Sequence, residues 1–245
     1  MPESTQHETI IAVEKIKKNF LVGKNIIHAL RGISLEVKAT DFLVIYGPSG
    51  CGKSTLLNIV LGLDPPTEGE IEIRRRKIYT MSEDERAAFR AKKIGMIYQM
   101  PYWIKSLNVI ENIALPLIID GLKEEEAVKY AKRVAEEIGI IELSSQIPTQ
   151  LSGGQQQKVG LARALITNPW IIMADEPTGN LDTKSGNEIL EIFKLLNQKY
   201  KRTIILVTHN QAYWESGTRR IEMRDGLIVK DTNHNNSNLI SQNAK

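Results

Sequence analysis

The stretch from Phe42 to Leu61 constrains the fold more than any other part of the chain. It opens with Phe42-Leu43-Val44-Ile45-Tyr46, an apolar run of β-forming residues long enough for a buried strand and too short for a helix. Gly47-Pro48-Ser49-Gly50-Cys51-Gly52-Lys53-Ser54 follows at once, and Ser54 to Leu61 then reads as a helix. This order of strand, glycine-rich loop and helix is the context in which G-x-x-x-x-G-K-[ST] wraps a phosphate. Gly47, Gly50 and Gly52 are expected to let the backbone visit positive φ and approach an anion without a Cβ clash. The loop amides and the positive end of the helix then point at that anion. On this reading Lys53 reaches the β- and γ-phosphates and the Ser54 hydroxyl ligates Mg²⁺. The same segment points to an α/β core, with its ligand at the carboxyl ends of the strands.

Two further buried runs should feed that edge. Ile171-Ile172-Met173-Ala174 ends in Asp175 and Glu176. Both acids are expected beside the phosphate loop, Asp175 on Mg²⁺ directly or through water, Glu176 on the attacking water as a base or an orienting group. Thr203-Ile204-Ile205-Leu206-Val207-Thr208 delivers His209 to the same edge, a place that favours a catalytic over a structural histidine. Gln99, after Gly95-Met96-Ile97-Tyr98, says less by itself because exposed glutamines are common.

A second glycine-rich element, Leu151-Ser152-Gly153-Gly154-Gln155, precedes a stretch in which Val159, Ala162 and Ile166 recur at helical spacing before Pro169. Ser152 fits a capping role at the helix start. A well-capped helix would account for these residues structurally. Functionally, the helix start is a second anion site in a chain that already has one, and it suits the γ-phosphate of a nucleotide held by another chain.

Taken in order, the elements resemble the ATP-binding subunit of an ABC transporter over about residues 10 to 230. They are Walker A (Gly47 to Thr55), Q-loop (Gln99), signature (Leu151 to Gln155), Walker B (Ile171 to Glu176), D-loop (Gly179-Asn180-Leu181-Asp182) and switch histidine (His209). The resemblance implies a P-loop (RecA-like) nucleotide-binding core, an N-terminal antiparallel β subdomain and an inserted α-helical subdomain. It implies ATP and Mg²⁺ as cofactors, with ATP touched by Phe20, Gly47 to Thr55 and Ser152 to Gln155. Lys53, Gln99, Glu176 and His209 are then catalytic, and Ser54, Gln99 and Asp175 serve the metal. Phe20 stands where the family's base-stacking aromatic is commonly Tyr, and Arg74-Arg75-Arg76-Lys77 where relatives often have a polar hairpin turn. The implied partners are a second copy, with ATP at the interface, and a separately encoded membrane permease that places the chain on the cytoplasmic face of the membrane. His28 to Leu35, Glu111 to Leu117, Leu151 to Gln157 and Pro177 to Asp182 are similar to the lipoprotein-release, macrolide-export and antimicrobial-peptide-resistance group, which suggests export or extraction of a lipophilic or peptide substrate.

The remaining residues bound the alternatives. A formal net charge of +3 does not suggest a nucleic-acid partner, and the cluster at Arg74 reads as a solvated turn rather than a lipid contact. The single cysteine, Cys51, excludes an internal disulfide framework and suits a reducing compartment; its modification would block the loop. Met1 to Gln6 lacks the pattern of a signal peptide, and no run reaches the roughly 18 apolar residues of a membrane helix, so a membrane part is expected in another chain. One ATPase domain is expected over residues 1–230, with a core of 1–100 and 166–230, a helical subdomain of 101–165 and a disordered tail of 231–245.

Local signals refine that outline. Ser82-Glu83-Asp84-Glu85 should cap a short helix. Ala127, Ala131, Val134 and Ile138 should form a buried stripe stopped by Gly139. Ile189, Ile192, Phe193 and Leu196 should pack a further helix, and Arg224-Asp225-Gly226 should turn a final hairpin. Tyr102, Trp103 and Ile104 read either as core or as permease contact. Rival functions are an ABC ATPase without transport, which would need long coiled coils or two cassettes in one chain, and a regulator that transmits force to a membrane partner and moves no solute.

Overall fold

The computed structural model of the chain describes residues 8–233. The N-terminal stretch read as lacking a signal sequence and residues 234–245 of the expected tail lie outside that range. Residues 9–93 form strands β1 (Thr9–Val22), β2 (Asn25–Lys38) and β3 (Phe42–Tyr46), helix α1 (Lys53–Val60), strands β4 (Glu68–Ile73) and β5 (Arg76–Lys77) and helix α2 (Glu83–Lys93). Next come β6 (Ile94–Tyr98), α3 (Val109–Ile119), α4 (Glu124–Ile138), α5 (Gly153–Leu165), β7 (Ile171–Asp175) and α6 (Thr183–Gln198). Strands β8 (Thr203–Thr208), β9 (Arg219–Arg224) and β10 (Leu227–Asn233) complete the described chain. It divides into two compact units, one of residues 1–90 with 201–245, the other of residues 91–200.

The first unit contains two sheets. One is antiparallel in the order β2-β1-β4-β5, the expected N-terminal β subdomain. Alternation turns Ile33, Leu35 and Val37 of β2 and Ile71 and Ile73 of β4 into the core. In the other sheet β3 lies between β8 and β9, parallel to both, and β10 returns antiparallel to β9. Phe42 to Ile45 and the whole of β8 are buried, as continuous apolar runs in a parallel sheet should be. The hairpin at Arg224 closes through Asp225 (φ 49°) and Gly226 (φ 76°), two left-handed residues that match the strand twist. Strand β10 runs three residues into the segment expected to be a disordered tail. Its anchor is Asp231, whose carboxylate oxygens accept from Arg219 Nε at 2.9 Å and Nη2 at 2.6 Å. Ser82 and Glu85 form the expected cap of α2, with Glu85 N–H donating to Ser82 Oγ at 3.3 Å and Ser82 N–H to Glu85 Oε2 at 2.8 Å.

In the second unit β6 and β7 pair in parallel, and α3, α4 and α5 enclose one apolar cluster that includes Val109, Ile113, Ala131, Val159 and Ala162. Within the stretch expected to be helical, roughly 101–165, the helices are set off by loops at 101–108, 120–123 and 139–152, the last with two short 3₁₀ turns. Asn112 organises the first loop from a fully buried position. Its Nδ2 donates to the carbonyls of Ile104, Leu107 and Asn108, and its Oδ1 accepts from Ile104 N–H at 3.1 Å. The α4 stripe is also shifted. Ala127, Ala131 and Ala135 are buried, while Val134 and Ile138 lie half-buried on its flank. Small alanines at i, i+4 and i+8 let the neighbouring helices close tightly, which the larger residues would prevent. Gly139 stops α4 at φ 74° as expected. In α6, Ile189, Phe193 and Leu196 are buried with Leu190, and Ile192 is not fully covered.

Candidate functional site

In the first unit the strand–loop–helix prediction is met. Gly50 (φ 80°) and Gly52 (φ 101°) take the left-handed backbone expected of them. Gly47 is needed for a different reason, since a Cβ there would lie 2.3 Å from the Met223 carbonyl oxygen. Lys53 is 6% exposed, and its ammonium donates to the carbonyls of Gly47 at 2.8 Å and Pro48 at 3.0 Å. The loop thus wraps a buried cation that rests on neutral carbonyl dipoles, a site with charge to offer an anion. Helix α1 begins at N-cap Gly52 with no side-chain cap. Gly50, Gly52, Lys53, Ser54 and Thr55 line a cavity of about 290 Å³ together with Ile27, His28 and Asp225. His28 and Asp225 line this cavity without having been singled out as candidates from the sequence. Asp225 carries only a turn signal in the sequence, and nothing local to His28 marks it.

The parallel register that sets Tyr46 against Thr208 sends Gly47 and His209 off adjacent strands at the same level. Phe20 is 38% exposed and pairs across the ribbon with Ile27, which lines the cavity, so the two side chains share a face. Lys18 Nζ lies 5.0 Å from the Phe20 ring centroid. Ser49 is exposed, as is Ser54, while Cys51 is buried. Burial pushes the Cys51 thiol up, against the opposing pull of Lys53. Less thiolate makes this cysteine a slower nucleophile.

The second unit brings the other motif residues together. Tyr98 pairs with Asp175, so Gln99 and Glu176 leave neighbouring strands at one level. Gln99 Nε2 donates to Asn180 Oδ1 at 3.3 Å, joining Q-loop and D-loop. Glu176 sits at φ 49°, an uncommon backbone for a non-glycine residue and one that clusters at functional sites. Its carbonyl accepts from Gly179 N–H at 3.0 Å, closing the turn that follows β7.

Ser152 caps α5 as expected, and Gln155 completes a capping box. Ser152 Oγ accepts from Gln155 N–H at 3.3 Å, and Gln155 Oε1 accepts from Ser152 N–H at 3.0 Å. Neither Gly153 nor Gly154 has positive φ. A Cβ on Gly154 would lie 2.9 Å from Ser185 of α6, so this glycine serves close packing. Asp182 caps α6, accepting from Ser185 N–H at 3.0 Å and Ser185 Oγ at 2.7 Å, and these bonds hold its carboxyl below the usual range. The aromatic stretch after Gln99 divides. Tyr102 is 78% exposed and Ile104 47%, whereas Trp103 packs on the helical cluster and donates Nε1–H to Gln156.

The donor chemistry fits Mg²⁺. Ser54 and Asp175, each in its own unit, offer the hard oxygen donors this ion takes. Among the described residues no group of three or more His, Cys, Asp or Glu side chains is gathered around a metal site. A Mg²⁺ that uses one or two protein oxygens with substrate phosphates requires no such cage.

The family model for ABC transporters matches residues 30–179. An uncharacterised ABC transporter ATP-binding protein of Methanocaldococcus jannaschii is 46% identical over 91% of this chain and 100% of its own length. A macrolide export ATP-binding/permease protein of Aggregatibacter actinomycetemcomitans is 41% identical over 91% of this chain, which spans only 34% of that protein. Among solved structures, the dimeric post-hydrolysis state of an ATP-binding cassette bound to ADP and Pi superimposes with a TM-score of 0.85, at 39% identity, covering 91% of this chain and 98% of that one. With its P-loop architecture and ordered motifs, the chain belongs to the ABC transporter family, as one of its ATP-binding, ATP-hydrolysing cassettes.

Proposed function

We propose that the cassette powers a separately encoded membrane permease from the cytoplasmic face of the membrane, two copies closing on ATP and opening after hydrolysis. The buried Lys53 ammonium on the Gly47 and Pro48 carbonyls carries this reading, because it is a cation positioned to exchange neutral partners for phosphate. Gly47 to Thr55 hold the phosphates and Phe20 stacks on the base. Ser54, Asp175 and Gln99 serve Mg²⁺, which when bound neutralises charge on the β- and γ-phosphate oxygens. Glu176 activates or orients the attacking water, and His209 acts at the same phosphate. Ser152 to Gln155 of one copy meet the γ-phosphate held by the other, a pairing supported by dimeric relatives. Closure and release supply a two-state element that a membrane partner can follow.

Among the described residues no helix is long and apolar enough to cross a membrane. The helical subdomain, taken as residues 101–165 within a core of 1–100 and 166–230, offers exposed Tyr102 and Ile104 to the permease. Similarity to macrolide-export proteins supports export or extraction of a lipophilic or peptide substrate.

Glu176→Gln tests the cycle. It should retain ATP, lower turnover by roughly 100-fold or more, and form an ATP-dependent dimer visible by light scattering. The dimer should revert to monomer with ADP. A variant that stays monomeric at saturating ATP, alone and with its permease, would contradict the closing pair.

A further inference from the structure

Helix α5 holds the Q-loop as well as carrying the signature at its start. Gln157 is 3% exposed, and the two hydrogens of its amide are directed at consecutive main-chain carbonyls, Tyr98 at 3.0 Å and Gln99 at 3.1 Å. One residue earlier, Gln156 Oε1 accepts from Trp103 Nε1–H at 2.9 Å. Two turns along, Arg163 donates to the Tyr102 carbonyl at 2.6 Å, and its guanidinium lies 4.6 Å from the Trp103 ring centroid. Positions 156, 160 and 163 share one helix face, and at Gly160 a Cβ would come within 3.4 Å of Pro101. One helix therefore contacts residues 98–103 along their length, Tyr98 being paired with β7 as well, while the Gln99 side chain points away to Asn180.

We propose that Gln157 is a positioning residue for ATP hydrolysis. It sets the backbone from which Gln99 reaches its working position, so that Gln99 and the signature at Ser152 move as one element. The inference rests on the role given to Gln99 above. A neutral side chain of this length with two amide hydrogens suits two adjacent carbonyls. An ionised carboxylate there would face them with no donor, and an apolar side chain would leave both bonds unmade.

A double-mutant cycle on kcat tests it. Gln157→Met should lower kcat about tenfold with KM for ATP changed less than about twofold, since the phosphate loop lies in the other unit. Gln99→Ala should lower kcat further, and adding Gln157→Met to Gln99→Ala should lower it no more. Additive losses, or a Gln157→Met protein with a lowered melting temperature and wild-type kcat, would overturn the inference and leave the reading of Gln99 intact. An unchanged kcat in Gln99→Ala would overturn both. Should Gln157→Met not fold, Gln157→Asn, one methylene short of both carbonyls, carries the same cycle with the same outcomes.

Discussion

The phosphate loop enters α1 through Gly52, which has no side chain to satisfy the helix start, whereas the signature enters α5 through Ser152, tied reciprocally to Gln155. In the first, glycines at φ 80° and 101° bend the backbone around an ammonium that rests on carbonyls. In the second the backbone is ordinary, and glycine serves the close approach of α6. The first is shaped for a ligand that completes it. The second is a finished helix that can also present its amides outward. A loop bent by left-handed glycines that binds and an ordinary helix start that docks suit the proposed cycle, in which each copy holds its own nucleotide and only visits its partner's.

The largest effect should come from removing the cation. Lys53→Ala should weaken ATP binding on the order of 100-fold or more by calorimetry, and wild-type affinity would remove the charge difference on which the comparison rests. Backbone substitution separates the two elements more finely. Gly52→Ala must accept φ 101° and a Cβ 2.6 Å from the Ala29 carbonyl oxygen, and should cost roughly 2–4 kcal/mol in denaturant unfolding. Gly153→Ala meets the end of the Leu181 side chain at 3.2 Å and the Asn180 carbonyl oxygen at an ordinary 3.8 Å, and should cost under about 1 kcal/mol. Equal losses would erase the distinction between left-handed and ordinary glycines.

Ser152→Ala removes the cap and should cost about 1 kcal/mol while leaving ATP affinity of the isolated copy unchanged. The smallest effect concerns acid. Hydrogen bonds from Ser185 depress the folded-state pKa of Asp182, so its contribution is complete above the ordinary carboxylate range and is lost as pH falls through the folded value. Melting temperatures of wild type and Asp182→Asn should therefore converge between about pH 5 and pH 2, and a constant gap would show that the charge is irrelevant to the cap.

Much of this was legible because the deciding information is local. The run Thr203 to Thr208 coincides with β8, Gly139 ends α4, and Asp225-Gly226 turns the hairpin. Strand period and turn chemistry carry those readings without reference to distant residues. Gln157 was illegible because the carbonyls it holds belong to residues nearly sixty positions away. The replacement of Val134 and Ile138 by Ala135 in the buried stripe of α4 likewise depends on how closely α3 and α5 approach. Gly47 was expected, with Gly50 and Gly52, to visit positive φ; it does not, and only the Met223 carbonyl reveals why glycine is needed there.

The hairpin that follows Met223 carries a consequence for biosynthesis. Gly226 N–H donates to the Cys51 carbonyl at 3.1 Å, and the Gly226 carbonyl accepts from Arg31 N–H at 3.0 Å, so the β9–β10 turn braces the phosphate loop from the far end of the chain. The loop leaves the ribosome before its bracing strands β8 and β9, which are translated only after the whole 91–200 segment. At roughly 5–20 residues per second, that delay is on the order of ten seconds or more. A nascent chain interrupted before Gly226 carries the complete glycine-rich motif and lacks the brace that shapes it.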